Sequence, residues 1–321
     1  MAYSIDSSFV STKNHDEVLG NSVIRTLLYF DIFHFPLSLS ELFTLNQHLL
    51  ANESDLALVL ENLIKANYIN YHEGFYFLKS SNQYIDRNNV AVIKTDNVIK
   101  RLQKYSGLIA SFPFVKGVTI SGSLSKNFMD ENSDIDYFII TAKNRLWLAR
   151  TLLILYKKIF LFNSKKNFCV NYFVSEDQLT IPDRNIFTAT EVCHLIPLFN
   201  YEAYLLLMKM NNWNKEFYPN FPLRKDTYVV KESYSVIKNG LEKLFSGGFG
   251  EKLDNCFFKI TLRRWKKKFK HFDESTFDLR MRSKKNVSKH HPNGFQEKIL
   301  SQLSEKIIEF EKHYHISLSN E

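Results

Sequence analysis

The chain has 321 residues, 45% of them hydrophobic and 24% charged, with a formal net charge of +8. That length exceeds one ordinary core and predicts two or three domains, and the balance is that of a folded globular protein. No apolar run reaches the roughly 18 residues of a membrane span, no basic-then-apolar segment opens the sequence, and Cys169, Cys193 and Cys256 are too scattered for a disulfide framework or a zinc site; no membrane association is expected, and a cytoplasmic location fits.

Residues 1–15 read as a disordered lead-in. From Asp16 the apolar positions Val23, Ile24, Leu27, Leu28 and Ile32 recur at helical spacing, and Phe35-Pro36 ends the helix. Ser38 or Ser40 is placed to cap a short helix through Leu45, and Ser54 a third helix with Leu56, Val59, Leu60, Leu63 and Ile64 as its stripe. Residues 68–71 and 75–78 flank His72-Glu73-Gly74 as a hairpin. Three helices and a hairpin over 16–80 resemble a winged-helix domain, a fold that often reads DNA with its third helix. Here that helix carries Glu53, Asp55 and Glu61 against Lys65, and the hairpin tip offers His72 and Glu73. An acidic surface repels phosphates, so binding of duplex DNA is not expected.

Residues 80–87 are polar and read as a linker. A helix over 96–112 carries Val98, Ile99, Leu102, Leu108 and Ile109 on one face and stops at Pro113. A strand over 118–120, a turn at Ser121-Gly122-Ser123, a polar loop and a second strand over 134–141 follow. A Leu/Ile-rich helix over 145–162 ends near Lys157-Lys158, where cations suit the helix dipole. A third strand is expected over 168–174, a loop over 175–184, and a helix over 187–210 interrupted at Pro197. Beyond it we expect a helix over 226–245, a turn at 247–250, a basic helix over 252–270, an irregular basic stretch over 280–293, and a last amphipathic helix with Phe295, Ile299, Leu303, Ile307 and Phe310. From 259 to 291 there are twelve Lys/Arg against three Asp/Glu, so contact with RNA or another polyanion is expected in this C-terminal region. Within it Leu262, Trp265 and Phe269 stand at i, i+3 and i+7, a spacing that buries them and leaves the lysines outside.

The stretch from Thr119 to Thr141 carries the chemistry. On a strand Asp134 and Asp136 point to one face while Ile135 points to the other. Two carboxylates aimed at one spot repel unless a cation lies between them, and magnesium or manganese, with one or two carboxylates and the rest of its oxygens from water and phosphates, answers that need. Gly122 lets the backbone approach a ligand, Ser123 adds a hydroxyl donor, and Lys126 is within reach of a phosphate. Gly122-Ser123 after a strand, then Asp134-Ile135-Asp136 on the next, resembles the nucleotidyltransferase superfamily that includes DNA polymerase β. The resemblance covers about residues 95–200. It implies an α+β fold in which a small mixed sheet flanked by helices forms the core, between a winged-helix-like domain (16–80) and a helical, basic C-terminal region (201–321). It also implies transfer of a nucleoside monophosphate from an NTP to a hydroxyl acceptor: a small molecule, a protein or an RNA end.

The superfamily's third carboxylate would fall within 168–174, where the polar side chain is Asn171. An amide oxygen can bind a metal but cannot serve as a general base. Glu176 and Asp177, just past that strand, are the candidate substitutes. The alternative is a catalytically impaired nucleotide-binding or nucleic-acid-binding regulatory protein on the same fold. Cys193 and His194 read as packing residues, and His290-His291 with Lys284, Lys285 and Lys289 as either a phosphate site or a solvated loop.

Overall fold

A computed structural model describes residues 7–79, 96–126, 134–164, 166–231 and 235–318, with the backbone alone for 7–15 and 96–97. The expected linker 80–87 lies outside them. The protein is α+β, and among the described residues no helix is long and apolar enough to cross a membrane.

The first helix, α1 (Ser7–Asp31), buries Val23, Ile24, Leu27 and Leu28 on one side. It begins at Ser7, which corrects the lead-in expected over 1–15 from residue 7 onward. Once a buried stripe has nucleated a helix, each added turn residue contributes one more backbone hydrogen bond. Helix α2 (Leu39–Thr44) follows strand β1 (Leu37–Ser38). The Ser38 hydroxyl accepts the Glu41 N–H, and the Glu41 carboxylate accepts the Ser38 N–H in return. At the third helix, α3 (Ala57–Lys65), the expected cap is one element off. Asn52 caps a 3-10 turn over Glu53–Leu56 that leads into it, and Ser54 supplies the N–H that Asn52 accepts. Strands β2 (Ile69–His72) and β3 (Phe75–Leu78) form the hairpin, and β1 adds to it in the order β1-β3-β2.

This unit does not have a core of its own. Leu19, Val23, Val59 and Leu78 share one apolar cluster with Ala189, Cys193, Trp213 and Tyr218, and with Ile299, Leu303 and Phe310 of the last helix, α12 (Phe295–Tyr314). Lys306 pairs with Asp31 at 2.7 Å, and Arg25 Nη1 donates to the Leu318 carbonyl at 2.8 Å.

Among the described residues the main sheet has six strands in the order β7-β4-β5-β6-β9-β8. At its centre stand β4 (Val115–Ser121), β5 (Asp136–Thr141) and β6 (Cys169–Ser175). Only β5 and β6 run parallel, joined through α6 (Leu146–Phe160); the other pairs are antiparallel. Side chains alternate between the faces as a pleated strand requires. Val118, Ile120, Tyr137, Ile139 and Phe173 meet α4 (Asp96–Ala110), α6 and α10 (Gly248–Lys268). Phe138, Ile140, Tyr172 and Val174 meet α7 (Ile186–Cys193) and α8 (Tyr201–Met210).

Three expectations change here. The interruption at Pro197 is a strand, β7 (Ile196–Phe199), which pairs with β4 at the sheet edge; an edge is where proline's missing N–H is tolerated. The irregular basic stretch contains helix α11 (Glu274–Met281) and strands β8 (Ser283–Lys284) and β9 (Val287–Lys289), and β9 pairs with β6. The sheet therefore does not close within 95–200, and the region 201–321 is not wholly helical. The helix expected over 226–245 is shorter, α9 (Val236–Leu244), opened by the Ser235 side chain.

The turn expected at 247–250 is mostly the first turn of α10, and Gly250 is what lets α10 start so close to the end of α9. A Cβ at Gly250 would lie 1.9 Å from the Phe245 carbonyl oxygen. The carbonyls between the two helices are held by Arg145, itself buried: Nε donates to Phe245 O (2.8 Å), and Nη2 to Ser246 O and to Gly247 O (2.9 Å). Arg145→Ala removes the donors from three consecutive carbonyls. We expect it to lower the unfolding free energy by about 2–4 kcal/mol in urea titration, and Arg145→Lys, which lacks the guanidinium fork, to recover only part of that.

Candidate functional site

Strand β4 delivers Gly122 to the edge of the site, and β5 delivers Asp136 opposite it, because Ser121 and Asp136 are register partners. Gly122 has φ +75°, a conformation that favours glycine. A Cβ there would also stand 2.6 Å from Asp136 Oδ2, so a side chain is excluded twice over. The short helix α5 (Gly122–Ser125) continues from this turn. Ser123 is half-buried, and among the described residues its hydroxyl makes no hydrogen bond.

Asp134 lies just before β5. Ile135 between the two aspartates is fully buried beneath α6, and Asp134 and Asp136 are half-buried. The pairing with β6 continues through them: Ile135 N–H donates to Lys166 O, and Cys169 N–H to Ile135 O, both at 3.1 Å. The register sets Asp136 beside Cys169 and, across a bulge, beside Asn171. Asn171 Nδ2 donates to Asp136 Oδ1 at 2.9 Å. The amide NH2, not the amide oxygen, thus faces Asp136 in this arrangement. Burial, with the Asp136 charge beside it, pushes the Cys169 thiol up to about 12, so it stays protonated next to Asp136. Burial also raises the Asp136 carboxyl above the ordinary aspartate value, and the charges of Glu191 and Asp134 push the same way.

Glu176 and Asp177 do not join this group. They follow the far end of β6, where Ser175 is the partner of Thr141. At roughly 3.3 Å per residue, that end is about 17 Å from Asp136. Glu176 accepts Lys143 N–H, and Asp177 accepts the Ser175 hydroxyl.

The acid that does arrive is Glu191, from α7. Its Oε1 lies 2.7 Å from Lys126 Nζ, and its Oε2 accepts the Gly122 N–H at 3.4 Å. Lys126 Nζ also donates to Gly122 O at 2.8 Å. Glu191 is distant in sequence and sits in the otherwise neutral run Phe187-Thr-Ala-Thr-Glu-Val-Cys193; a lone acid on an apolar helix was the signal that could have found it. Its neighbours Cys193 and His194 are buried, with His194 Nδ1 2.8 Å from Thr190 O, and they serve as packing.

The basic C-terminal stretch divides. Lys285 pairs with Asp254, Lys289 and Arg282 pair with Asp183, and Lys284 pairs with Asp278. His290 lies against Trp265. Arg282, Lys285 and Lys289 are thus engaged by acids within the fold, while Lys284 stays largely exposed. On α10 and just beyond it, Trp265 and Phe269 are buried while Lys259, Arg263, Arg264, Lys266, Lys267 and Lys270 are exposed, with no ion pair among the described residues.

Asp134 and Asp136 are the two hard carboxylates at the motif. Among the described residues no three His, Cys, Asp or Glu side chains are grouped to hold a metal ion. Two carboxylates suit magnesium, which keeps several waters or phosphate oxygens, better than a metal that requires a full protein cage.

The raised Asp136 carboxyl makes stability depend on pH. A carboxyl whose folded pKa lies above its unfolded value favours the folded state when protonated, so its penalty appears as pH rises from the unfolded to the folded value. Asp136→Asn is expected to melt higher than the unchanged protein at pH 7 in metal-free buffer, and the gap is expected to shrink towards pH 4. Thermal melts at both pH values check this; a gap that grows on acidification contradicts it. Comparison of the chain with protein-family models, with curated proteins and with solved structures found no match.

Proposed function

We propose that the chain is a magnesium-dependent nucleotidyltransferase that moves a nucleoside monophosphate from an NTP to a hydroxyl acceptor. The observation that carries this reading is the contact of Gly122 with Asp136. The two halves of the motif, separate in sequence, meet at one end of the central strands with no room for a side chain between them. Asp134 and Asp136 would hold the metal ion, whose contribution is to neutralise charge on the phosphates and the departing pyrophosphate. Gly122, Ser123 and Lys126 lie on the phosphate side. Asn171 fixes the Asp136 carboxylate through Oδ1 and leaves Oδ2 directed towards Gly122. On this reading β4, β5 and β6 with β9 form the nucleotidyltransferase core, and residues 16–80 form a winged-helix-like unit that packs on α7 and α12. The acceptor is a small molecule, a protein or an RNA end, and the reaction is cytoplasmic.

A second reading has its own support. Asn171 stands where the resemblance implies a carboxylate, and it donates a hydrogen bond to Asp136. A nucleotide-binding protein without transfer, or one that uses the unpaired cations of α10 to regulate a nucleic acid, fits that observation.

The experiment separates the two. Calorimetry with each NTP and magnesium is expected to show binding that Asp134→Ala and Asp136→Ala weaken by more than about 100-fold, beyond the loss typical of an outer-shell partner. Label in the α-phosphate is then followed onto protein, RNA and small acceptors. Transfer that disappears in Asp136→Ala supports the enzyme, and binding without transfer supports the second reading. Unchanged NTP affinity in both variants refutes the site.

A further inference from the structure

Lys126 and the Gly122 N–H are the groups that the proposed reading turns towards phosphate. Both are engaged by one carboxylate. Glu191 Oε1 is 2.7 Å from Lys126 Nζ, and Glu191 Oε2 takes the Gly122 N–H at 3.4 Å. The two ends of this contact differ in how firmly they are held. The Lys126 side chain is 7% exposed and is anchored a second time by Gly122 O at 2.8 Å, whereas the Glu191 side chain is 25% exposed. The Glu191 bond to Gly122 is also long for an N–H···O contact. Glu191 can therefore turn out towards solvent while Lys126 stays in place. A carboxylate and a phosphate compete for the same charge-assisted donors.

We propose that Glu191 is an internal anion seated at the phosphate position of this turn, and that a polyphosphate enters by displacing its carboxylate from Lys126 and from the Gly122 N–H. The inference rests on the reading of the Gly122-Ser123 turn as a phosphate seat and adds its regulation. Glu191 pairs with Lys126 in this arrangement, and among the described residues it forms no three-acid metal group with Asp134 and Asp136. Occupation of the seat lowers apparent affinity by the fraction of molecules in which Glu191 has turned away. A chain in which about one molecule in ten is open binds about tenfold more weakly than its best.

The test uses the full chain and tripolyphosphate without metal, so that neither the nucleotide nor the aspartates' cation is involved. Glu191→Gln, which keeps the shape and removes the charge, is expected to bind tripolyphosphate about tenfold more tightly than the unchanged chain. Glu191→Asp, which withdraws the carboxylate by one methylene, is expected to gain as well, and it serves if the glutamine variant does not fold. Adding Lys126→Met to Glu191→Gln is expected to abolish the gain. Asp134→Asn removes an equal charge without freeing Lys126; an equal gain there overturns the proposal, since bulk charge would then explain the effect. Unchanged or weaker binding by both Glu191 variants also overturns it. A parallel titration with magnesium and NTP separates the two readings. Tripolyphosphate gain with no nucleotide binding keeps the seat and removes the nucleotidyltransferase. Nucleotide binding with no gain removes the seat's regulation and keeps the enzyme.

Discussion

The parallel pairing of β5 with β6 is the constraint on which the site depends. It sets Asp136 beside Cys169 and Asn171 at one end of the two strands, and Thr141 beside Ser175 at the other. Parallel strands require a crossover between them, and α6 provides it with Trp147 fully buried and its indole N–H donating to Lys284 O at 2.9 Å. A slip of one residue in this register would turn Asp136 into the apolar core and bring Tyr137 to the site. The bulge between Tyr137 and Phe138 allows Asn171 to reach Asp136 while Tyr172 returns to the side of Phe138.

Charge balance at this end of the sheet differs from that around two other carboxylates, Asp183 and Asp254, which are matched by cations. Asp183 is held below the ordinary aspartate value, burial notwithstanding, because Arg282 and Lys289 both reach it. Asp254, fully buried, has Lys285 at 2.9 Å and the Leu148 N–H at 2.8 Å. At the site burial and the charges of Glu191 and Asp134 push the Asp136 carboxyl up, and the Lys126 ammonium, which draws it down, pairs with Glu191 at 2.7 Å. Burying carboxylates without matching cations is costly, and packing alone does not call for it. A cation held there, as the proposed reading requires, would relieve the imbalance.

Much of this was legible in the sequence, for identifiable reasons. The continuous apolar run after Asp136, which marks a strand buried on both faces, and the period-3.6 stripes of α1, α3 and α12 are local patterns, and burial follows them. Ser38 and Glu41 at capping-box spacing announce α2 as plainly. β7 was hidden because four apolar residues containing Pro197 look the same in a kinked helix as in an edge strand. β8 and β9 were hidden because Val287 is the single β-branched residue among their five, and their strand state is imposed by the pairing of β9 with β6. Glu191 stood out as a lone acid on an apolar helix, but its partners did not: the contacts with Gly122 and Lys126 join segments more than sixty residues apart, which no window of sequence contains. The Asn171 departure was visible as a missing charge, but its hydrogen bond to Asp136 required the register.

The return of α12 onto α1 has a consequence for how the chain is made. Leu19, Val23, Val59 and Leu78 leave the ribosome long before Ile299, Leu303 and Phe310, yet all seven belong to one apolar cluster. Closing a loop of that length costs only slightly more than closing a shorter one. Such contacts nevertheless come late in folding, and segments that wait for them expose apolar surface in the meantime. The N-terminal helices can form early, but their shared core is completed only when the last helix emerges. A nascent chain stalled before residue 295 therefore presents Val23, Leu27 and Leu63 to whatever holdase is nearby, and the tie between Arg25 and Leu318 marks the point at which that dependence ends.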